Sequence, residues 1–232
     1  MRGLLLVVAA VALHGAEPKI KIVLVGDSTV AEGGGWGPGF RAALLGQKQG
    51  DRYEVVNLAL NGRSSKSFRD EGAWAPALTA GAKYIFIQFG HNDGPGKGAD
   101  RETNPQTSFH ANMSQYVEEA RAAGAIPVLV TSIVRRNLTA DGRVKVDTLA
   151  PYAEEVRRVA AEEQVPLIDL YALTRAQCEG LGPAGCGEFN AKAADGSADT
   201  THLSAKGQAE IGAIVARKFA TSVLAWDGVA GK

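Results

Sequence analysis

Ile20-Lys21-Ile22-Val23-Leu24-Val25-Gly26-Asp27-Ser28-Thr29 runs from an unbroken apolar segment straight into a glycine turn carrying a hydroxyl. Consecutive apolar residues over Ile22–Val25 leave no polar face, so a strand here is buried on both sides. Such a strand needs a layer of helices above and below it. The rest of the chain repeats the theme. Strands are predicted over Glu54–Leu58, Tyr84–Phe89, Ile126–Thr131 and Pro166–Leu170, five with the first. Between them fall helical patterns at Arg41–Leu45, Ser108–Ala123 and Tyr152–Glu163, and a last helix follows Ser204, a suitable N-cap. Alternation of this kind predicts an α/β fold with a central, mainly parallel five-stranded sheet and right-handed crossovers. Ligands then bind beyond the carboxyl ends of the strands.

Lys+Arg and Asp+Glu are equal at 25 each, so net charge gives no electrostatic case for nucleic acid or an anionic membrane as partner. Residues 1–16 read as a secretory signal peptide: Arg2, the apolar run Leu4–Leu13, then Gly15-Ala16 at a cleavage point near residues 15–17. No cysteine near the cut suggests a lipid anchor. The expected mature chain, 17–232, shows no linker or repeat and is expected to be one domain, a monomer, in the periplasm or outside the cell. There Cys178 and Cys186 are candidates for a small loop-closing disulfide, with two free thiols as the alternative.

Every chemically suggestive segment follows a predicted strand or precedes the last helix. Ser28 stands where backbone N–H groups favour developing negative charge, although a capping serine in a turn reads the same way. Gly33-Gly34-Gly35-Trp36-Gly37-Pro38-Gly39 lacks the ending of a phosphate loop and reads as a turn that lets backbone approach the serine or a ligand. Gly62, in Asn61-Gly62-Arg63-Ser64-Ser65, can present an N–H to an oxyanion, and the amide of Asn92, in Gly90-His91-Asn92-Asp93, can do the same without a change of charge. Arg63, Lys66 and His91 are candidate substrate contacts, with solvation as the ordinary alternative. No two histidines share the spacing of a zinc site. In Asp199-Thr200-Thr201-His202 the three-residue offset lets a carboxylate reach an imidazole and fix its tautomer. Ser28, His202 and Asp199 thus supply a nucleophile, a base and a group to orient the base.

Taken in order, these blocks resemble the SGNH (GDSL-type) hydrolases, at Ser28, Gly62, Asn92 and His202, with Asp199 completing the triad. Gly26-Asp27-Ser28-Thr29-Val30, Asn61–Phe68, Gln88–Asp93 and Asp199–Ser204 are most similar to the rhamnogalacturonan acetylesterase-like branch. Thr29 stands where many other branches carry leucine. The resemblance implies a flavodoxin-like three-layer α/β/α sandwich. It also implies a serine esterase, with no cofactor or metal, that deacetylates plant polysaccharide, pectin above all. The oxyanion hole it implies is made by the N–H groups of Ser28 and Gly62 and the Asn92 amide. Alternatives are an acetylxylan esterase, a lipase, thioesterase or broad arylesterase with an apolar trough, and a noncatalytic carbohydrate-binding protein.

Overall fold

The computed structural model describes residues 18–230; the predicted signal peptide and its cleavage point lie outside them. The central sheet has five strands, β1 (Ile20–Gly26), β2 (Tyr53–Asn57), β3 (Tyr84–Gln88), β4 (Ile126–Val130) and β5 (Leu167–Ile168), in the order β2-β1-β3-β4-β5 and all parallel. That order is flavodoxin-like, and the chain reverses its direction of travel across the sheet between β1 and β3. A crevice opens at such a reversal, beyond the carboxyl ends of those two strands.

The period-two alternation of side chains sorts the core into two layers. Val23, Val25, Ile85, Ile87 and Leu129 face α4 (His110–Ala122) and α5 (Ala150–Glu162), meeting Tyr116, Val117, Val156 and Val159. The short helices α2 (Ser67–Asp70) and α3 (Ala75–Thr79) contribute Phe68 and Ala77 to the same side. Ile22, Leu24, Phe86, Val128 and Ile168 point the other way, onto Phe40 and Leu44 of α1 (Gly37–Leu45) and Ile211 and Val215 of α7 (Ala205–Lys218). The sheet is therefore covered on both faces, as its apolar strands require. A last helix, α8 (Leu224–Ala230), follows a π-type turn at Phe219–Val223.

Three elements differ from the sequence expectation. Gly37-Pro38-Gly39 is not loop but the first turn of α1, with proline where its missing N–H is harmless. Its glycine is needed for contact: a Cβ on Gly39 would lie 1.8 Å from the Gln208 carbonyl oxygen of α7, so the two helices touch backbone to backbone. Residues Leu170–Gly187 form α6, broken at Gly182 (φ 66°), and Cys178 and Cys186 are joined as a disulfide across the break. Finally, a separate antiparallel hairpin, β6 (Asn190–Lys192) and β7 (Ala198–Leu203), precedes α7. Among the described residues no helix is long and apolar enough to cross a membrane.

Candidate active site

β1 ends at Gly26, and the chain closes at once into a helical turn in which the N–H groups of Val30 and Ala31 donate to the Asp27 carbonyl at 3.0 and 3.1 Å. Ser28 sits on that turn at the rim of the sheet. β7 brings His202 to the same place from the far end of the chain. Ser28 Oγ lies 2.8 Å from His202 Nε2, and His202 Nδ1 lies 2.6 Å from Asp199 Oδ2. The other carboxylate oxygen accepts the backbone N–H groups of Thr201 (2.9 Å) and His202 (3.0 Å). Burial pushes the Asp199 carboxyl up, but the N–H and ring of His202 and the N–H of Thr201 outweigh it and bring the pKa down to about 2. A carboxylate fixed this way favours a proton on Nδ1 and leaves Nε2 with a lone pair toward the hydroxyl.

The turn under Ser28 is anchored by a buried polar chain. Trp36 Nε1 donates to Gln88 Oε1 (2.8 Å), Gln88 Nε2 to Thr29 Oγ1 (2.7 Å), and Thr29 Oγ1 to Asp27 Oδ1 (2.7 Å). The Thr29 N–H reaches the same Asp27 oxygen at 2.8 Å. Burial raises the Asp27 carboxyl pKa and the Thr29 hydrogen bonds oppose the rise. Leucine at position 29 could neither accept from Gln88 nor donate to Asp27, so the threonine in the motif is built into the support of the serine.

Gly62 and Asn92 line the same cleft, of roughly 470 Å³, with Ser28, Asp199 and His202. Gly62 holds φ +77°, a conformation that suits glycine, in the loop that follows β2. Asn92 Nδ2 donates one hydrogen to the Arg63 carbonyl at 3.1 Å, which orients the amide and leaves its second hydrogen for another acceptor. Among the described residues, no protein acceptor takes the N–H of Ser28 or of Gly62. Besides these, the walls are Gly33, Gly34, Asn61, Ala191 and Lys192.

His91 and Arg63 are placed differently from the expectation. The His91 ring is buried, Nε2 pairs with the Ile133 carbonyl at 3.1 Å, and it does not line the cleft. Burial first, then the nearby Arg135 charge, pushes its pKa well down. Arg63 is turned to Glu71 Oε2 (2.8 Å) and the Asn61 carbonyl (2.9 Å), beside a neighbouring groove. Lys66 donates to the Ala99 carbonyl. Sequence reasoning missed Lys192, Arg136 and the specific part of Gly34. A Cβ on Gly34 would lie 3.2 Å from that of His202, and the Gly34 carbonyl accepts the Leu203 N–H at 2.9 Å. The glycine run therefore makes room for the imidazole. Its density in the sequence was the available signal; for Lys192 and Arg136 there was none.

A hydroxyl, an imidazole and a carboxylate in line at the switch point of a parallel α/β/α sandwich define a carboxylic ester hydrolase. The sequence profile of the GDSL-like lipase/acylhydrolase family matches residues 24–210, and the chain belongs to that family, in its rhamnogalacturonan acetylesterase-like branch. It is 36% identical over 215 residues to rhamnogalacturonan acetylesterase RhgT of Bacillus subtilis (85% of this chain, 88% of the relative). It is 33% identical over 204 residues to the probable rhamnogalacturonan acetylesterase YesY of the same organism (84% and 90%). Among solved structures, YxiM of Bacillus subtilis superposes with TM-score 0.68 at 25% identity; the match covers 92% of this chain but 58% of that longer one. A mutant of the acetylxylan esterase Axe2 of Geobacillus stearothermophilus shares the fold at TM-score 0.65 and 18% identity, over 89% of this chain and 94% of that one.

Proposed function

We propose that this protein removes O-acetyl groups from an acidic plant polysaccharide, with rhamnogalacturonan pectin first in line because two of its relatives are named for rhamnogalacturonan, through an acetyl-serine intermediate. One observation carries the reading: the line Ser28–His202–Asp199 opens on a cleft whose walls hold no large apolar side chain. An acetyl group and a sugar fit such walls; a long acyl chain would leave its methylenes without apolar cover. Ser28 Oγ attacks the acetyl carbonyl as Nε2 of His202 takes the hydroxyl proton. The oxyanion is held by the N–H groups of Ser28 and Gly62 and by the Asn92 amide. Collapse breaks the ester bond, and the imidazolium gives its proton to the departing sugar oxygen. Water, deprotonated by His202, then attacks the acetyl-serine, releasing acetate and restoring the hydroxyl. The leader-like residues 1–16, together with the Cys178–Cys186 disulfide, favour an exported enzyme.

The direct test is acetate release from acetylated pectin, acetylated xylan and a pair of chromogenic esters, acetyl and long-chain. Pectin and the chromogenic acetate should be hydrolysed well and the long-chain ester poorly; a preference for the long chain would return the enzyme to the lipases. Within the site, Asn92→Ala should lower kcat by about 10²–10³, the usual loss for one oxyanion donor. An unchanged kcat would remove Asn92 from the oxyanion hole.

Pectin is favoured over xylan by Lys192. It is exposed at the edge of the cleft, and among the described residues no carboxylate lies within ion-pair distance of it. A uronate carboxylate on the acetylated sugar or on its neighbour would find its counter-charge there. Exposed pairs are weak, so Lys192→Ala should raise KM only about two- to fivefold on an acetylated uronate oligomer. The effect should shrink with salt and be missing on a neutral chromogenic acetate. Equal effects on both substrates would argue for loss of structure, not of a charge contact.

A further inference from the structure

The base stands on an element that the central sheet does not hold. β6 and β7 form a ladder only with each other, so His202 stands on a hairpin separate from the sheet whose β1 leads into Ser28. The 2.8 Å between their side chains depends on whatever fastens the hairpin to the core. Much of that fastening converges on Arg136, in the segment that follows β4. Its backbone N–H donates to the Thr200 carbonyl (2.9 Å). Its Nη2 donates to the carbonyls of His202 (2.5 Å) and Asp199 (3.4 Å), and its Nε to Asn190 Oδ1 (2.7 Å). Every one of these acceptors lies on the hairpin.

Its neighbour shows what an ordinary arginine does here. Arg135 pairs with the Asp147 carboxylate at 2.7 Å, and its side chain is 21% exposed. Arg136 is 4% exposed, has no carboxylate within ion-pair distance among the described residues, and keeps Nη1 without a partner. Burial brings its pKa down to about 10, opposed by the nearby Asp199 charge. A guanidinium buried without a counter-ion is unfavourable, and a purely structural position is served as well or better by an apolar side chain of similar volume. What an apolar side chain cannot do is grip two carbonyls with one rigid plane.

We propose that Arg136 is a positioning residue for the reaction: its guanidinium grips the Asp199 and His202 carbonyls and sets the imidazole against Ser28 Oγ. Gly34 packs against the His202 side chain and accepts the Leu203 N–H, so the base is fastened by that loop as well as by the arginine. The inference rests on reading Ser28 as nucleophile and His202 as base. Misplacement by about 1 Å can slow a reaction on the order of 10²-fold. Arg136→Met should therefore lower kcat on a chromogenic acetate about 10²-fold while KM changes less than about threefold. Arg136→Lys keeps the charge but not the planar fork and should fall in between, roughly 10-fold down.

Arg136→Met, Arg136→Lys, Arg136→Ala and Ser28→Ala are purified and measured side by side, with circular dichroism to establish folding. In Arg136→Ala, which leaves room for it, added guanidinium ion at tens of millimolar should restore part of the kcat, and in Ser28→Ala none. A folded Arg136→Met that keeps more than half of wild-type kcat overturns the proposal. Where Arg136→Met does not fold, Arg136→Lys decides: a loss confined to kcat supports the positioning role, and wild-type kcat overturns it. The control separates the two failures. An active Ser28→Ala sinks the nucleophile assignment; an inactive Ser28→Ala beside a fully active Arg136→Met sinks only the arginine.

Discussion

Replacing Ser28 by alanine should lower the kcat for ester hydrolysis by about 10⁴–10⁶-fold, and His202→Ala should do the same. The size follows from what each change removes. Without Oγ no acetyl-enzyme can form. Without Nε2, 2.8 Å away, Oγ has no acceptor for its proton and stays a weak nucleophile at neutral pH. Because the two groups act in one step, the losses should not add. The double variant should be about as slow as either single one, with residual turnover supplied by the oxyanion donors and by binding. Both side chains are partly exposed at the rim of the cleft, outside the packed core layers. Stability should therefore change little, and a melting curve near that of the wild type separates lost chemistry from lost fold. Retention of more than about a tenth of wild-type kcat by Ser28→Ala would mean that a different group attacks the ester.

The sheet was legible because its strands are short apolar runs. Val23 and Ile22 could not both be buried unless helices covered both faces, and their separate packing against α4 and α1 is the result. The triad was legible because four blocks lie in fixed order after strands or before the last helix. What escaped were elements whose sequence carries the opposite signal. α6 holds Gly180, Gly182, Pro183, Gly185 and Gly187, a composition that reads as loop; tertiary packing and the disulfide override it. β7, Ala198-Asp199-Thr200-Thr201-His202-Leu203, has no apolar alternation, because its side chains are spent on the site. His91 and Arg63 looked alike in sequence, polar residues flanking a motif. Which way such a side chain turns is set by partners outside the motif, Ile133 for His91 and Glu71 for Arg63, that no local pattern announces. Arg136 is the extreme case, since its acceptors belong to a hairpin more than fifty residues further along the chain.

Asp199→Asn is the change that tests orientation rather than presence. An asparagine can keep an oxygen on the N–H groups of Thr201 and His202, now at 2.9 and 3.0 Å, so the turn should survive. Its amide then places a donor where Oδ2 accepts from His202 Nδ1 at 2.6 Å. Two donors cannot face each other, so the ring proton moves to Nε2 and points at Ser28 Oγ, where a lone pair is required. Such a swap in a serine hydrolase lowers kcat by about 10⁴, and the same order is expected here, with KM nearly unchanged. The carboxylate also has a pH signature. Its folded pKa is about 2, below its ordinary 3.8, so folding favours the ionised form. That contribution to stability is complete above about pH 4 and is lost as pH falls toward about 2. Asparagine has no such proton to take up. The wild type should accordingly be the more stable of the two at about pH 6, and the gap should have narrowed at about pH 2.5, read from denaturant midpoints at each pH. A gap that widens on acidification would show that the Asp199 carboxyl is strained by its partners instead of held by them.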